Sequence, residues 1–225
     1  MWTFLHPVYD LYRRYFGSYT LDDPRSIQKS APYTYFLPSS ARLASVEPGD
    51  TVQLIFRSHP HGLTYDAERM WVEITSHNGN RLDAKLLNNP FDMPQLKAGR
   101  IVTFDRFHMI AIRSERPWPS EPEQRDYWDR CMVDKCVLDD GVPVYYLYRE
   151  ESDLAQPEDK YPDSGWRIRG DYRDVPDEEF EARKVSYVAL GAVLNADDSW
   201  LHLIDAPVGS AFMRNFDTGE YEDHD

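Results

Sequence analysis

Five consecutive residues, Asp163-Ser164-Gly165-Trp166-Arg167, combine an acid, a hydroxyl, an unhindered backbone position, an indole and a guanidinium. Asp and Ser bond their own backbone to shape turns, and Gly allows unusual dihedrals or a close approach. Trp and Arg dominate protein–protein contacts. The segment reads either as a turn before a core Trp or as a binding loop centred on Trp166 and Arg167. Nucleophilic catalysis by Ser164 lacks both an elbow motif and an assigned base. A second compact motif, Asp205-Ala206-Pro207-Val208-Gly209-Ser210, reads as a tight loop, with Asp205, Pro207, Gly209 and Ser210 as further contact candidates. It is not a phosphate cradle, because no Gly-rich run opens a helix with a Lys following.

Other reactive residue types are too sparse. His59-Pro60-His61 with Asp66 and Glu68 gives two imidazoles in a loop, short of the three or four ligands a metal needs. Cys131 and Cys136 are the only cysteines, too few for a disulfide scaffold, and read as structural thiols in a reducing compartment. No metal, cofactor or catalytic set is expected, which favours binding over catalysis.

Charge narrows the partner. Residues 1–118 hold 14 Lys+Arg against 12 Asp+Glu, whereas residues 119–225 hold 11 against 27 and carry the acidic excess. Such a lobe repels nucleic acid and anionic lipid and attracts basic partners. The acid runs Glu150–Asp163 and Asp174–Glu181 suit a solvated face or long-range steering. The short apolar runs cannot span a bilayer, and Asp10, Arg13 and Arg14 interrupt any signal-peptide core. The expected setting is cytoplasmic.

The elements that must position these residues predict an α+β chain of two small domains. Pro7 and the helical spacing of Leu11, Tyr12, Tyr15 and Phe16 predict a helix over 7–16, closed by Gly17, with its aromatic stripe packed onto its own domain. Pairing of subunits through that stripe, giving a homo-oligomer, is the alternative. Residues 18–40 read as an irregular connector broken by Pro24, Pro32 and Pro38. Strands follow at 51–56, 70–75, 81–87, 100–104 and 108–112, with Asn78-Gly79 as a hairpin turn, predicting a bent antiparallel sheet or partial barrel. The domain boundaries are 1–113, a Pro-rich linker over 114–124, 125–216, and an acidic, frayed tail over 217–225. The second domain is expected to be an antiparallel sheet with one or two helices. A helical turn is expected near 124–130, strands at 131–138 and 144–148 joined as a hairpin, a strand at 163–171, a helix over 185–194, and strands at 201–204 and 210–214.

Tyr148-Arg149-Glu150-Glu151, the Asp163–Arg167 run, Val193-Leu194-Asn195 and Asp205–Phe212 occur in that order, and over residues 131–216 the chain resembles the bacterial family immunity protein 33, formerly the domain of unknown function numbered 2185. Glu68–Val72, Leu87–Pro90 and Gly99–Phe104 resemble, over residues 46–112, the bacterial domain of unknown function numbered 2314. The first resemblance implies a small protein that binds and blocks a cognate toxin, with no cofactor and no catalytic residues. The function expected is therefore a binding protein that occludes a basic protein partner. The rival is a small-molecule enzyme or sensor with a pocket between the domains, lined by Tyr145, Tyr146, Trp71 and His108.

Overall fold

Val52, Leu54 and Phe56 alternate with Thr51, Gln53 and Arg57, and the first set is fully buried. This period of two is what a strand with one face on a core requires. The computed structural model describes residues 6–154, 158 and 160–224. It divides into two compact units, Met1–Lys29 with Phe36–Glu123, and Ser30–Tyr35 with Gln124–Asp225. Each has its own core and a six-stranded sheet.

The first unit runs α1 (His6–Phe16), β1 (Ser18–Leu21), α2 (Pro24–Ser30), α3 (Ser40–Ala44), β2 (Thr51–His59), β3 (Ala67–Asn78), β4 (Arg81–Leu86), β5 (Ile101–Asp105) and β6 (Ala111–Arg113). The strands are antiparallel in the order β1-β2-β3-β4-β5. On its side away from β3, β2 pairs with β6 through Thr51–Gln53 and with β1 through Phe56–His59. One strand is thus shared between two partners along the same edge. Asn78-Gly79 makes the expected tight turn, with Gly79 at φ 61 and Asn78 opposite Arg81.

The connector expected over 18–40 instead contains β1, α2 and the start of α3. Pro24 opens α2, where a missing N–H costs nothing, and Ser39 caps α3 by accepting the Arg42 N–H at 3.2 Å. In the 114–124 segment, Trp118 packs against the first core beneath Arg42, and Glu121 accepts the Ser39 N–H at 3.2 Å.

The second unit runs β7 (Arg130–Asp134), α4 (Lys135–Asp139), β8 (Val144–Arg149), β9 (Asp163–Gly170), α5 (Asp177–Glu181), β10 (Val185–Ala189), α6 (Leu190–Ala196), β11 (Ala211–Arg214) and β12 (Tyr221–Asp223). The sheet order is β10-β7-β9-β8-β11-β12, antiparallel except for the parallel pair β7 and β9. The hairpin expected between 131–138 and 144–148 does not form, because β9 lies between β7 and β8 and α4 takes over after Asp134. The apolar run expected as one helix over 185–194 divides at Ala189 into β10 and α6, since continuous apolarity suits a buried strand as well as a helix. No helix forms over 124–130; there the carbonyls of Tyr127 and Asp129 accept the first N–H groups of α6, from Gly191 and Leu190, at 2.8 Å each. Residues 201–203 form a single 3-10 turn in place of a strand. The tail expected to fray is partly ordered as β12, with the Tyr221 hydroxyl donating to Val144 O at 3.0 Å. Part of the Glu150–Asp163 acid run, residues 155–157 and 159, lies outside the described residues, as do residues 1–5 and 225.

Candidate partner-binding face of the second unit

β9 carries the Asp163–Arg167 motif between β7 and β8. Successive side chains on a strand face opposite ways. Trp166 and Ile168 enter the core, where Trp166 packs 5.8 Å from Trp200 and 6.5 Å from Phe212, ring centre to ring centre. The Trp166 indole N–H donates to Ile204 O at 3.2 Å, and none of the residue is exposed. Trp166 is therefore a core anchor, and the expectation of a Trp at the contact surface is corrected: its binding surface is fully used inside the unit. The Ser164 hydroxyl likewise serves the backbone, donating to Arg130 O at 2.7 Å. Gly165 has φ +81, and a Cβ there would lie 2.1 Å from Glu150 O. Only glycine fits this crossing of β9 and the end of β8.

Arg167 and Asp163 are also buried, which removes them as direct contacts. The Arg167 guanidinium bonds both Asp163 oxygens at 3.0 and 2.9 Å, Asp153 at 2.8 Å, and Glu150. Burial alone raises the pKa of Asp163, but the Arg167 hydrogen bonds and the amides of Gly165 and Leu154 outweigh it and hold the carboxyl below the usual range. Hydrogen bonding to Asp163 pushes Arg167 above its ordinary value against the effect of burial. Three carboxylates share one guanidinium, so negative charge is left over at the more exposed Glu150 and Asp153.

Arg149 joins the two sequence motifs. Its side chain donates to Ser164 O at 3.0 Å and Ala206 O at 2.7 Å, its N–H to Ser210 O at 2.9 Å, and its carbonyl accepts the Gly209 N–H at 2.7 Å. Of the contact candidates, the 205–210 loop is the part that meets solvent. Asp205, Pro207 and Gly209 are exposed, and Ser210 is half-buried. Asp205 pairs with Arg125 at 2.6 Å, which lowers its carboxyl pKa.

The sheet face opposite the core is richer than the motifs suggested. Across it, register sets Tyr187 opposite Met132, Met132 opposite Arg167, and Arg167 opposite Tyr148. A neighbouring rung runs Arg169, Tyr146, Met213, Glu222. The register shift between Val144 and Tyr146 leaves Tyr145 as an extra residue. Its ring turns to Tyr172 and Phe216, with centres 5.0 and 5.8 Å away, and its hydroxyl reaches Met213 Sδ at 3.2 Å. Tyr145, Tyr146, Tyr148, Tyr187, Met132 and Met213 are all half-buried. Burial, with the nearby Glu150 charge, raises the Tyr148 pKa.

Beneath this face Asp134 is buried, facing Arg169 at 3.2 Å and Arg183 at 3.4 Å and accepting the Gly170 N–H at 3.1 Å. α5 borders it, with Phe180 packed 4.8 Å from Tyr172 and under the Arg169 guanidinium, and the exposed acids Asp177, Glu178, Glu179 and Glu181 alongside. A centre of Tyr, Met and Arg with a charged rim is the composition of protein-binding surfaces. The sequence reading missed Tyr148, Met132, Tyr187 and Met213; the signal was the Tyr146/Tyr148 alternation along β8, masked by the extra Tyr145.

The remaining candidates fall in both units. Trp71 lies on β3 with the Arg113 guanidinium 4.0 Å above its ring, and His108 Nδ1 lies 3.0 Å from Asp105 O in a 3-10 turn. Both belong to the first unit; Tyr145 and Tyr146 belong to the second. Among the described residues no three His, Cys, Asp or Glu side chains form a metal-binding group. His59 instead bonds Thr20 at 2.8 Å. Cys131 and Cys136 are free thiols, and burial raises the pKa of both. No helix among the described residues is long and apolar enough to cross a membrane.

No curated protein and no solved structure matches this chain. The resemblance expected of residues 46–112 to the domain numbered 2314 falls outside the residues matched below. Residues 131–224, from the first core residue of β7 to just beyond β12, match the model of the family described as the immunity protein Imm33 domain, so the second unit is similar to that family over nearly all of its sheet.

Proposed function

We propose that this chain is an immunity-type protein that neutralises a toxin by occlusion, holding it on the Tyr146/Tyr148 face of the second sheet. The observation that carries this is the half-buried Tyr and Met face with an acidic border, built in the unit that matches the immunity family. Tyr rings supply contact area at low entropic cost, and the flexible Met thioethers adapt to the partner's shape. The carboxylates of α5 and of Glu150 and Asp153 steer a basic partner, speeding association more than they deepen affinity. The exposed Pro207–Gly209 loop lies on the same unit and offers a secondary contact.

Co-expression with a cognate toxin tests this. Tyr146→Ala/Tyr148→Ala is expected to abolish protection and weaken binding about 100-fold while the unit stays folded. Glu178→Lys/Glu179→Lys is expected to slow association, with the effect shrinking at high salt. Full protection by both variants would overturn the assignment of this face; loss of protection only on Val208→Asp would move the contact to the loop.

A further inference from the structure

α1 is mounted with its polar side inward. Arg13, 1% exposed, donates to Asp92 O and Asp92 Oδ1 at 2.7 Å each and also pairs with Asp10, while Tyr9 donates to His61 O at 2.9 Å. The Asp92 carboxylate is further held by the Thr64 and Tyr65 amides. At 100° per residue, Val8, Leu11, Tyr12 and Tyr15 lie on the side opposite Arg13, at the i, i+3, i+4, i+7 spacing of a packing stripe. They are 65%, 54%, 52% and 72% exposed, and Phe16 beside Tyr12 is 75% exposed. The expectation that this stripe packs onto its own domain is thereby corrected: the buried Arg13–Asp92 pair docks the helix, and the apolar face points away.

We infer that α1 is a self-association surface, pairing antiparallel with α1 of a second copy about a twofold axis. The stripe holds no charge, so it offers nothing to the basic partner that the second unit's acids attract. Apolar area of like kind is what a second copy brings, and a twofold interface uses the same patch on both sides. With full aromatic side chains of about 150–250 Å² each, the five exposed side chains offer roughly 550 Å² per copy. Two copies would bury roughly 1,100 Å², above the approximately 1,000 Å² that a specific interface needs. The spacing of the four stripe residues allows the ridges of one helix to enter the grooves of the other.

Light scattering and sedimentation of the full chain alone test this, so the toxin-binding reading stands or falls separately. The expected result is a dimer whose dissociation constant rises at least about 100-fold on Leu11→Glu/Tyr15→Glu, with the circular dichroism spectrum unchanged. In a Cys136→Ser background, Leu11→Cys, near the twofold axis, is expected to cross-link copies on mild oxidation, and Asn80→Cys is not. A monomer at all concentrations, a dimer that survives the double Glu variant, or a monomer that binds neutral vesicles through the stripe would each overturn the inference.

Discussion

Arg13 and Arg167 are both buried, each against an aspartate held by backbone amides, yet they do opposite things for the surface above them. In the second unit Arg167 sits within the sheet, and its carboxylates draw the 150–154 segment onto β9. In the first unit Arg13 reaches from a peripheral helix into a carboxylate on the 89–97 loop, leaving the helix's apolar side free. A buried ion pair is a costly way to stabilise a fold, because desolvation offsets most of the attraction. Its use here is positional. It fixes where a segment docks without consuming the apolar surface that would otherwise dock it.

If that contrast is right, removing each arginine should fail differently. The largest effect is expected for Trp166→Ala and Arg167→Ala, each costing the second unit about 3–5 kcal/mol, the first through a cavity and the second because Asp163, Asp153 and Glu150 all lose their shared guanidinium. Denaturant unfolding followed by Trp fluorescence measures both. Arg13→Ala is expected to cost about 1–3 kcal/mol and to release α1 alone, because Asp92 keeps its amide donors. Amide exchange should show residues 7–17 losing protection while β2–β4 keep theirs; unfolding of the entire sheet would mean that Arg13 holds more than α1 in place.

Acid should weaken both units. Both Asp92 and Asp163 titrate below the ordinary range in the folded chain, so the stability they supply is present above the unfolded value of about 3.9 and is lost as pH falls through the folded value. Thermal melts should hold steady down to about pH 4 and then fall, and Asp163→Asn should flatten that fall for the second unit only. The smallest effect is expected for Tyr15→Ala, within about 0.5 kcal/mol for a monomer held at low concentration, because its ring touches solvent.

Strand placement was largely legible because alternation and turn residues act locally: Thr51–Phe56, the Asn78-Gly79 turn and the 163–171 strand all appear at or near their expected positions. The candidate site was legible only in part. Asp163–Arg167 and Asp205–Ser210 do come together, through Arg149, but mainly as architecture. No local pattern distinguishes a Trp that anchors a core from one that anchors an interface, since both need a large apolar ring with one hydrogen bond.

By itself the amino-acid order determined the strand-rich character of both halves, the helix ahead of Gly17 and the acidic excess after Trp118. Those depend on backbone propensity, side-chain period and charge, which are properties of neighbours in sequence. Only the tertiary structure decided that β9 separates β7 from β8, that the 185–194 run divides into strand and helix, and that α1 turns its aromatic stripe outward. Each depends on a partner distant in the chain. Asp92, 79 residues beyond Arg13, holds α1 by its polar side, and no helical periodicity can show which face a helix will present.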